Sequence, residues 1–133
     1  MNGAVLIIGA GGIGCGAAFA LAAAGVRALT VVDDDVVDRS NLQRQILHAE
    51  AAVGRPKVDS LAETLEGRFP GVRVRRIRGR FDAETAPALV SEHDIVLDGS
   101  DNLATKFLAN DAAVLGGKPL VHGAAVGTFG QLL

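Results

Sequence analysis

The chain has 133 residues, which is the size of one domain, and 49% of them are hydrophobic while 21% are charged, a balance that excludes intrinsic disorder. The net charge of −2 disfavours a nucleic-acid binder that works by neutralising phosphates. The single cysteine excludes an internal disulfide framework and a cysteine-rich zinc site, and it indicates a reduced, cytoplasmic protein.

The first 26 residues carry no charged side chain, yet they divide into a strand, a glycine turn and a helix. Residues 4–8 (AVLII) are typical of a buried parallel strand, residues 9–14 of the turn, and residues 13–24 of the helix, with Gly25 as its C-cap. The glycines would break a membrane-spanning helix early, and a signal peptide would begin with basic residues. We therefore expect no association with a membrane.

The next elements repeat this alternation. Residues 29–32 form a second buried strand, and a polar segment follows over residues 38–44. A helix opens at residues 55–57 and carries apolar residues at helical spacing: Val58, Leu61, Leu65 and Phe69. Residues 72–78 (VRVRRIR) form a strand whose alternating arginines predict a position near a sheet edge.

The second half of the chain continues in the same way. The pattern predicts a short helix over residues 84–92 with Asp82 as its N-cap, and a buried strand over residues 95–98. A helix over residues 102–115 stops at two glycines, and strands follow over residues 120–124 and 129–133. This alternation predicts a single α/β domain over residues 1–133, Rossmann-like and doubly wound, with a mainly parallel sheet and helices on both faces.

A glycine-rich turn joins the first strand to the first helix. Residues 9–14 (GAGGIG) match the G-x-G-x-x-G pattern, and Asp33 follows Gly14 by 19 residues at the end of the second strand. Such a turn lets the backbone approach a phosphate, and a carboxylate at that distance can bind ribose hydroxyls. The alternative is a turn that only packs helix against strand. The pattern alone does not distinguish ATP from NAD.

Positive charge follows this nucleotide pattern. Residues 40–45 (SNLQRQ) bring hydrogen-bond donors and Arg44, and Lys57 stands at the start of the next helix. A triphosphate that loses pyrophosphate requires such cations, whereas a dinucleotide does not. The alternative for Arg44 and Lys57 is ordinary surface charge.

Residues 98–102 (DGSDN) begin at the last residue of the strand predicted over residues 95–98. Because ligands bind outside the carboxyl ends of parallel strands, we expect Asp33 and Asp101 to face the same crevice. Asp101 is a candidate Mg²⁺ ligand, since Mg²⁺ takes one or two carboxylates together with phosphate oxygens. It is equally a candidate N-cap for the following helix.

Five segments resemble the ThiF/MoeB/HesA family, the bacterial relatives of ubiquitin-activating enzymes, in both order and spacing. They are residues 9–15 (GAGGIGC), 33–35 (DDD), 40–45 (SNLQRQ), 54–58 (GRPKV) and 98–102 (DGSDN). The resemblance implies an ATP-dependent adenylyltransferase that uses Mg²⁺. It also implies a homodimer, and a substrate that is the C-terminal glycine carboxylate of a small ubiquitin-like sulfur-carrier protein.

The resemblance also implies roles for individual residues. Gly12 would lie against the nucleotide, Asp33 would hold the ribose, and Arg44 would stabilise charge on the phosphates as pyrophosphate leaves. The catalytic residues would be Arg44, Lys57 and Asp101, with Asp101 also the metal ligand. The nucleotide-binding residues would be Gly9, Gly11, Gly12, Gly14, Asp33, Asp35, Ser40, Asn41, Leu42, Gln43, Arg44, Lys57, Asp101 and Asn102.

Two other functions stay open. One is an NAD-binding oxidoreductase domain, which leaves SNLQRQ and the lysine unexplained. The other is a non-catalytic, truncated partner, because family members usually carry a helical segment before the first strand and a second half with a further cysteine. We therefore expect this chain to be the nucleotide-binding core of a longer architecture. A related subfamily that activates a tRNA-modification substrate is also compatible with the sequence.

The remaining chemical groups are weaker signals. Cys15 is interpreted as a small residue packed at the start of a helix, and His122 as a hydrogen-bonded core residue. The three histidines of the chain, His48, His93 and His122, lack metal-ligand spacing to one another. The arginines of residues 73–80 are interpreted as a solvated strand face, with nucleic acid as a disfavoured alternative because no aromatic residues accompany them.

Overall fold

The computed structural model describes residues 3–38, 52–126 and 129–132. Strands and helices alternate through these residues as the sequence predicts. The elements are β1 (Ala4–Ile8), α1 (Gly12–Ala23), β2 (Ala28–Asp33), α2 (Lys57–Arg68), β3 (Arg73–Arg78), α3 (Ala86–Ser91), β4 (Ile95–Asp98), α4 (Leu103–Gly116), β5 (Leu120–Val126) and β6 (Phe129–Leu132).

The strands form one sheet in the order β3-β2-β1-β4-β5-β6. The pairs from β3 to β5 are all parallel, and β6 runs antiparallel to β5. This order places β3 at an edge, as its arginines predict. Strands β2 and β3 are added on one side of β1 and the later ones on its other side, so the strand order switches sides between β1 and β4, as in doubly wound nucleotide-binding folds. The predicted fold class is confirmed.

Alternating side chains of β1 supply two separate cores, because successive residues of a strand point to opposite faces of the sheet. On one face, Val5 and Ile7 pack with buried residues of α1 and α2, among them Leu61. On the other face, Leu6 and Ile8 pack with buried residues of α3 and α4. Helices therefore cover both faces of the sheet, and β1 is apolar throughout because it has no solvent-facing side.

The start of α3 differs from the prediction. The carboxylate of Asp82 accepts hydrogen bonds from the backbone N–H and the hydroxyl of Thr85, each at 2.9 Å. These bonds close a turn over residues 83–85, and the helix begins at Ala86 instead of residue 84. The same backbone N–H, followed by the hydroxyl, holds the pKa of Asp82 below its usual value.

The arginines of β3 pair with acids on both sides of the sheet. Arg76 lies 3.3 Å from carboxylate oxygens of both Asp59 and Glu66 on α2, whereas Arg75 pairs with Glu92, which follows α3. Alternation along the strand sends these two neighbours to opposite faces. The pairing agrees with the strand-face interpretation of the run, since it leaves less charge for phosphates.

The charge-free start of the chain forms β1, the glycine turn and α1 rather than one long helix. No helix among residues 3–38, 52–126 and 129–132 is both long and apolar enough to cross a membrane.

Helix α1 lies close against β1 because Gly14 has no side chain. A Cβ atom at this position would lie 1.8 Å from the carbonyl oxygen of Gly9. Gly16, two residues further along the same helix, is exposed, and a Cβ atom there would meet no atom within 4 Å. The two glycines share a helix but differ in their packing.

We predict opposite effects for Gly14→Ala and Gly16→Ala on the free energy of unfolding. Gly14→Ala forces the helix away from β1 and costs about 1–3 kcal/mol, as overpacking typically does. Gly16→Ala adds helix propensity at an open position and stabilises by roughly 0.5–1 kcal/mol. Urea unfolding followed by circular dichroism measures both, and equal effects of the two substitutions would contradict the packing explanation.

Candidate functional site

A cleft of about 1200 Å³ opens at the carboxyl ends of β1, β2 and β4. Its walls are the glycine turn, the end of β2, the start of α2, the loop after β3 and the segment from β4 into α4. This volume exceeds the range of roughly 300–1,000 Å³ that is typical of small-molecule sites. Both Asp33 and Asp101 line the cleft, so the predicted shared crevice is confirmed.

Asp33 fastens the glycine turn to the end of β2. One of its carboxylate oxygens accepts a hydrogen bond from the backbone N–H of Ala10 at 2.7 Å, and the other accepts from Asp35 N–H at 2.7 Å. Gly9 adopts a φ of 95°, which favours glycine, and its N–H donates to Val32 O at 2.8 Å. Since a carboxylate has about four lone-pair positions, Asp33 keeps capacity to accept from ligand hydroxyls.

Lys57 is buried at the start of α2 and lines the cleft. Its relative exposure is 6%, and its ammonium lies 3.8 Å from a carboxylate oxygen of Asp35. The backbone N–H of Lys57 also donates to Asp35 O at 2.9 Å. The alternative of ordinary surface charge is therefore wrong for Lys57, because a buried ammonium requires a partner and has one here.

The described residues that flank the SNLQRQ segment on its two sides are hydrogen-bonded to each other. Val37 N–H donates to Arg55 O at 2.8 Å, and Gly54 N–H donates to Val37 O at 2.9 Å. Val36 and Pro56 form an antiparallel bridge next to them. The predicted nucleotide-binding residues of this segment lie outside the described residues: Ser40, Asn41, Leu42, Gln43 and Arg44.

Asp101 and Asn102 are exposed residues of the cleft wall at the start of α4. The N-cap of α4 is Asn102, whose side-chain oxygen accepts from Thr105 N–H at 3.1 Å. The alternative that Asp101 is the N-cap is therefore wrong. An exposed carboxylate in a cleft fits Mg²⁺, which binds proteins through one or two carboxylates together with substrate phosphates.

The carboxylates of Asp33, Asp34 and Asp35 form a group within 4.8 Å of one another, and Asp101 is not part of it. Asp33 accepts from backbone N–H groups, Asp34 pairs with the guanidinium of Arg80 at 3.0 Å, and Asp35 forms an ion pair with Lys57. Arg80 and Lys57 offset two of the three negative charges, and two backbone N–H groups donate to the third carboxylate, that of Asp33.

The loop after β3 is a wall of the cleft that sequence reasoning missed. Its residues 79–83 include Arg80, which was grouped with the strand arginines, and the buried Phe81. Gly79 N–H donates to Asp33 O at 3.1 Å, which holds this loop beside the end of β2. The available signal was indirect: β3 had to be placed beside β2 before its loop could be assigned to the site.

A second missed feature surrounds Asp98 at the end of β4. His122 lies with Nδ1 3.1 Å from the Asp98 carboxylate, so the predicted hydrogen bond exists, although the histidine is half-buried and not in the core. Lys106 also reaches Asp98 at 3.2 Å and lines the cleft. Cys15, in contrast, is fully buried and its thiol donates to Ala10 O at 3.2 Å, which agrees with a packing role.

Comparison with known proteins agrees with this geometry. Residues 1–133 match the model of the ThiF family. The chain belongs to this family. It is 47% identical over 131 residues to the adenylyltransferase and sulfurtransferase MOCS3 of Dictyostelium discoideum, and 46% identical over 131 residues to the SAMP-activating enzyme E1 of Haloferax volcanii.

Among solved structures, the chain is similar to the E. coli tRNA N6-threonylcarbamoyladenosine dehydratase TcdA in complex with ATP, with a TM-score of 0.88 and 29% sequence identity. The alignments cover 98% of this chain for both sequence relatives and 96% for TcdA. The chain spans 31% of MOCS3, 48% of the Haloferax enzyme and 53% of the TcdA chain. The match to these relatives therefore concerns one part of each protein.

Proposed function

We propose that this chain is the single-domain, nucleotide-binding part of an ATP-dependent adenylyltransferase. Its substrate is the C-terminal glycine carboxylate of a small ubiquitin-like sulfur-carrier protein, and the products are an acyl-adenylate and pyrophosphate. The observation that carries the proposal is the cleft, which joins a glycine turn, the ribose-type acid Asp33 and the buried cation Lys57. The names of two relatives support it, since one is an adenylyltransferase and sulfurtransferase and the other is a SAMP-activating enzyme.

The protein contributes to this reaction mainly by positioning the reactants and by stabilising charge on the phosphates. A carboxylate oxygen of the carrier attacks the α-phosphorus of ATP, and the bond to the bridging oxygen of the β-phosphate breaks. Negative charge then accumulates on the departing pyrophosphate, where fixed cations act most strongly in a site that excludes water. No residue of this chain forms a covalent intermediate in this step.

The described residues divide these tasks along the cleft. Asp33 accepts from the ribose hydroxyls while it holds the glycine turn, whose N–H groups and helix N-terminus face the phosphates. Lys57 supplies a positive charge from the start of α2. Arg44, which lies outside the described residues, is proposed from the sequence pattern as the second cation. Asp101, with Asn102 beside it, holds Mg²⁺, which would neutralise phosphate charge when bound.

We predict that the chain binds ATP·Mg²⁺ and does not bind NAD. Calorimetric titration measures both ligands, and it suits a chain without Trp and Tyr, which lacks strong intrinsic fluorescence. Asp33→Asn should weaken the binding of ATP, because it removes one of the two carboxylate oxygens that accept hydrogen bonds from the turn and from the ribose. Arg73→Ala, on the opposite end of the edge strand, should leave binding unchanged.

Binding of NAD alone would overturn the assignment to ATP and favour an oxidoreductase domain. Binding of neither nucleotide would contradict a nucleotide function for the chain as it stands.

We predict that Arg44→Ala lowers ATP–pyrophosphate exchange by about 10²–10³-fold, the loss typical when one group that stabilises transition-state charge is removed. The assay uses a recombinant ubiquitin-fold carrier that ends in glycine, with Arg73→Ala as the control. Unchanged exchange in Arg44→Ala would remove this residue from the catalytic set without affecting the assignment of the cleft.

We further propose that the protein is a homodimer. An exposed apolar stripe on α4 supports it, formed by Leu103, Phe107 and Val114 with exposures of 68%, 63% and 70%. Light scattering should give the mass of two chains for the wild type and a smaller mass for Phe107→Glu. A wild-type mass of one chain would contradict the dimer.

A further inference from the structure

Asp98 is a fully buried carboxylate at the end of β4, with a relative exposure of 0%. Four donors surround it. One oxygen accepts from the backbone N–H of Ser100 at 2.9 Å and from its hydroxyl at 2.6 Å. The other accepts from the ammonium of Lys106 at 3.2 Å and lies 3.1 Å from Nδ1 of His122.

Burial of this charge is not explained by stability alone. A buried ion pair loses the hydration of both ions, and its replacement by apolar residues of similar volume is often neutral or stabilising. Lys106 lines the cleft, Asp98 is buried directly behind it, and neither residue belongs to either apolar core. Its position suggests a role in arranging the wall.

The partners of Asp98 lie on both sides of the two exposed residues of the cleft wall. Ser100 immediately precedes Asp101, and Lys106 follows Asn102 by four residues on the first turns of α4. Lys106 also donates to Gly123 O on β5 at 3.1 Å, which ties α4 to the sheet. One carboxylate thus fixes the two ends of the segment that carries Asp101 and Asn102.

We propose that Asp98 is a positioning residue that holds Asp101 and Asn102 in place for a magnesium–nucleotide complex. The proposal rests on the proposed function, since it assigns Asp98 to the same ligand. Two separate oxygens are essential to this role. An amide at position 98 offers one acceptor oxygen, so it serves either Ser100 or the pair of Lys106 and His122.

The test compares Asp98→Asn with Asp94→Asn, two aspartates at opposite ends of the same strand. Asp94 precedes β4, and its carboxylate accepts from Ala4 N–H at 2.8 Å, a bond that an amide oxygen can also accept. Calorimetry gives the dissociation constant for ATP in the presence of Mg²⁺ and in the presence of a chelator. The constant with chelator divided by the constant with Mg²⁺ is the ratio that reports how much Mg²⁺ contributes to binding. A loss of global stability does not change this ratio in the folded fraction.

The expected result is a ratio lowered by about 10–100-fold in Asp98→Asn, the usual cost when a group that orients metal ligands is replaced, and unchanged in Asp94→Asn. An unchanged ratio in Asp98→Asn would overturn the proposal. Lys106→Met should show the same direction of change, and Lys106→Arg should retain most of the ratio.

Ser100→Ala keeps the proposal testable if Asp98→Asn fails to fold, because it removes one donor and leaves the buried charge pair intact. It should lower the ratio by a smaller factor, and no change would count against the role.

If the wild type binds no ATP under either condition, the proposed function fails separately. Hydrogen exchange of the Ser100 and Thr105 amides then decides the positioning role. Faster exchange in Asp98→Asn than in Asp94→Asn supports it, and equal exchange overturns it.

Discussion

The parallel register of three strands is the constraint on which the site depends. Ile8 at the end of β1 pairs with Val32 on one side and with Asp98 on the other. The three strands therefore end at one level, and their loops must share the space beyond them. The glycine turn, the acids after β2 and the segment after β4 form one cleft for this reason, although they come from distant parts of the chain.

Close backbone contacts hold the elements around this shared space together. A Cβ atom on Gly99 would lie 3.0 Å from the backbone nitrogen of Gly14, and one on Gly123 would lie 2.5 Å from a methyl carbon of Ile13. The loop after β4 and the middle of β5 thus lie directly against the start of α1. Glycine permits these approaches because a side chain would have to displace a neighbouring helix.

Several of the charged side chains at the cleft have partners in the protein. Lys57 faces Asp35, Lys106 faces Asp98, and the donors on Asp33 are backbone amides. Buried charges persist in proteins where partners compensate for lost hydration. The proposals for ATP and for Asp98 assign a role to the charged residues of this wall.

Local patterns in the sequence determined much of the fold. Apolar runs and helical spacing placed the strands and most helix boundaries within a few residues, and the alternating arginines placed β3 at the edge. The glycine turn and Asp33 predicted the edge of the sheet at which the cleft opens. These features are readable because periodicity and glycine conformation act over a few neighbouring residues.

Contacts between distant residues decided the rest. The sequence left Asp101 with two roles, and only the structure showed that Asn102 caps α4. Nothing in the sequence indicates that Lys57 is buried or that the loop after β3 joins the cleft. Nor does it indicate that Asp98 is the partner of Lys106 and His122. Each of these depends on which strands lie side by side and on how closely helices pack against them. Such facts follow from burial and packing across the whole sheet, which no local spacing encodes.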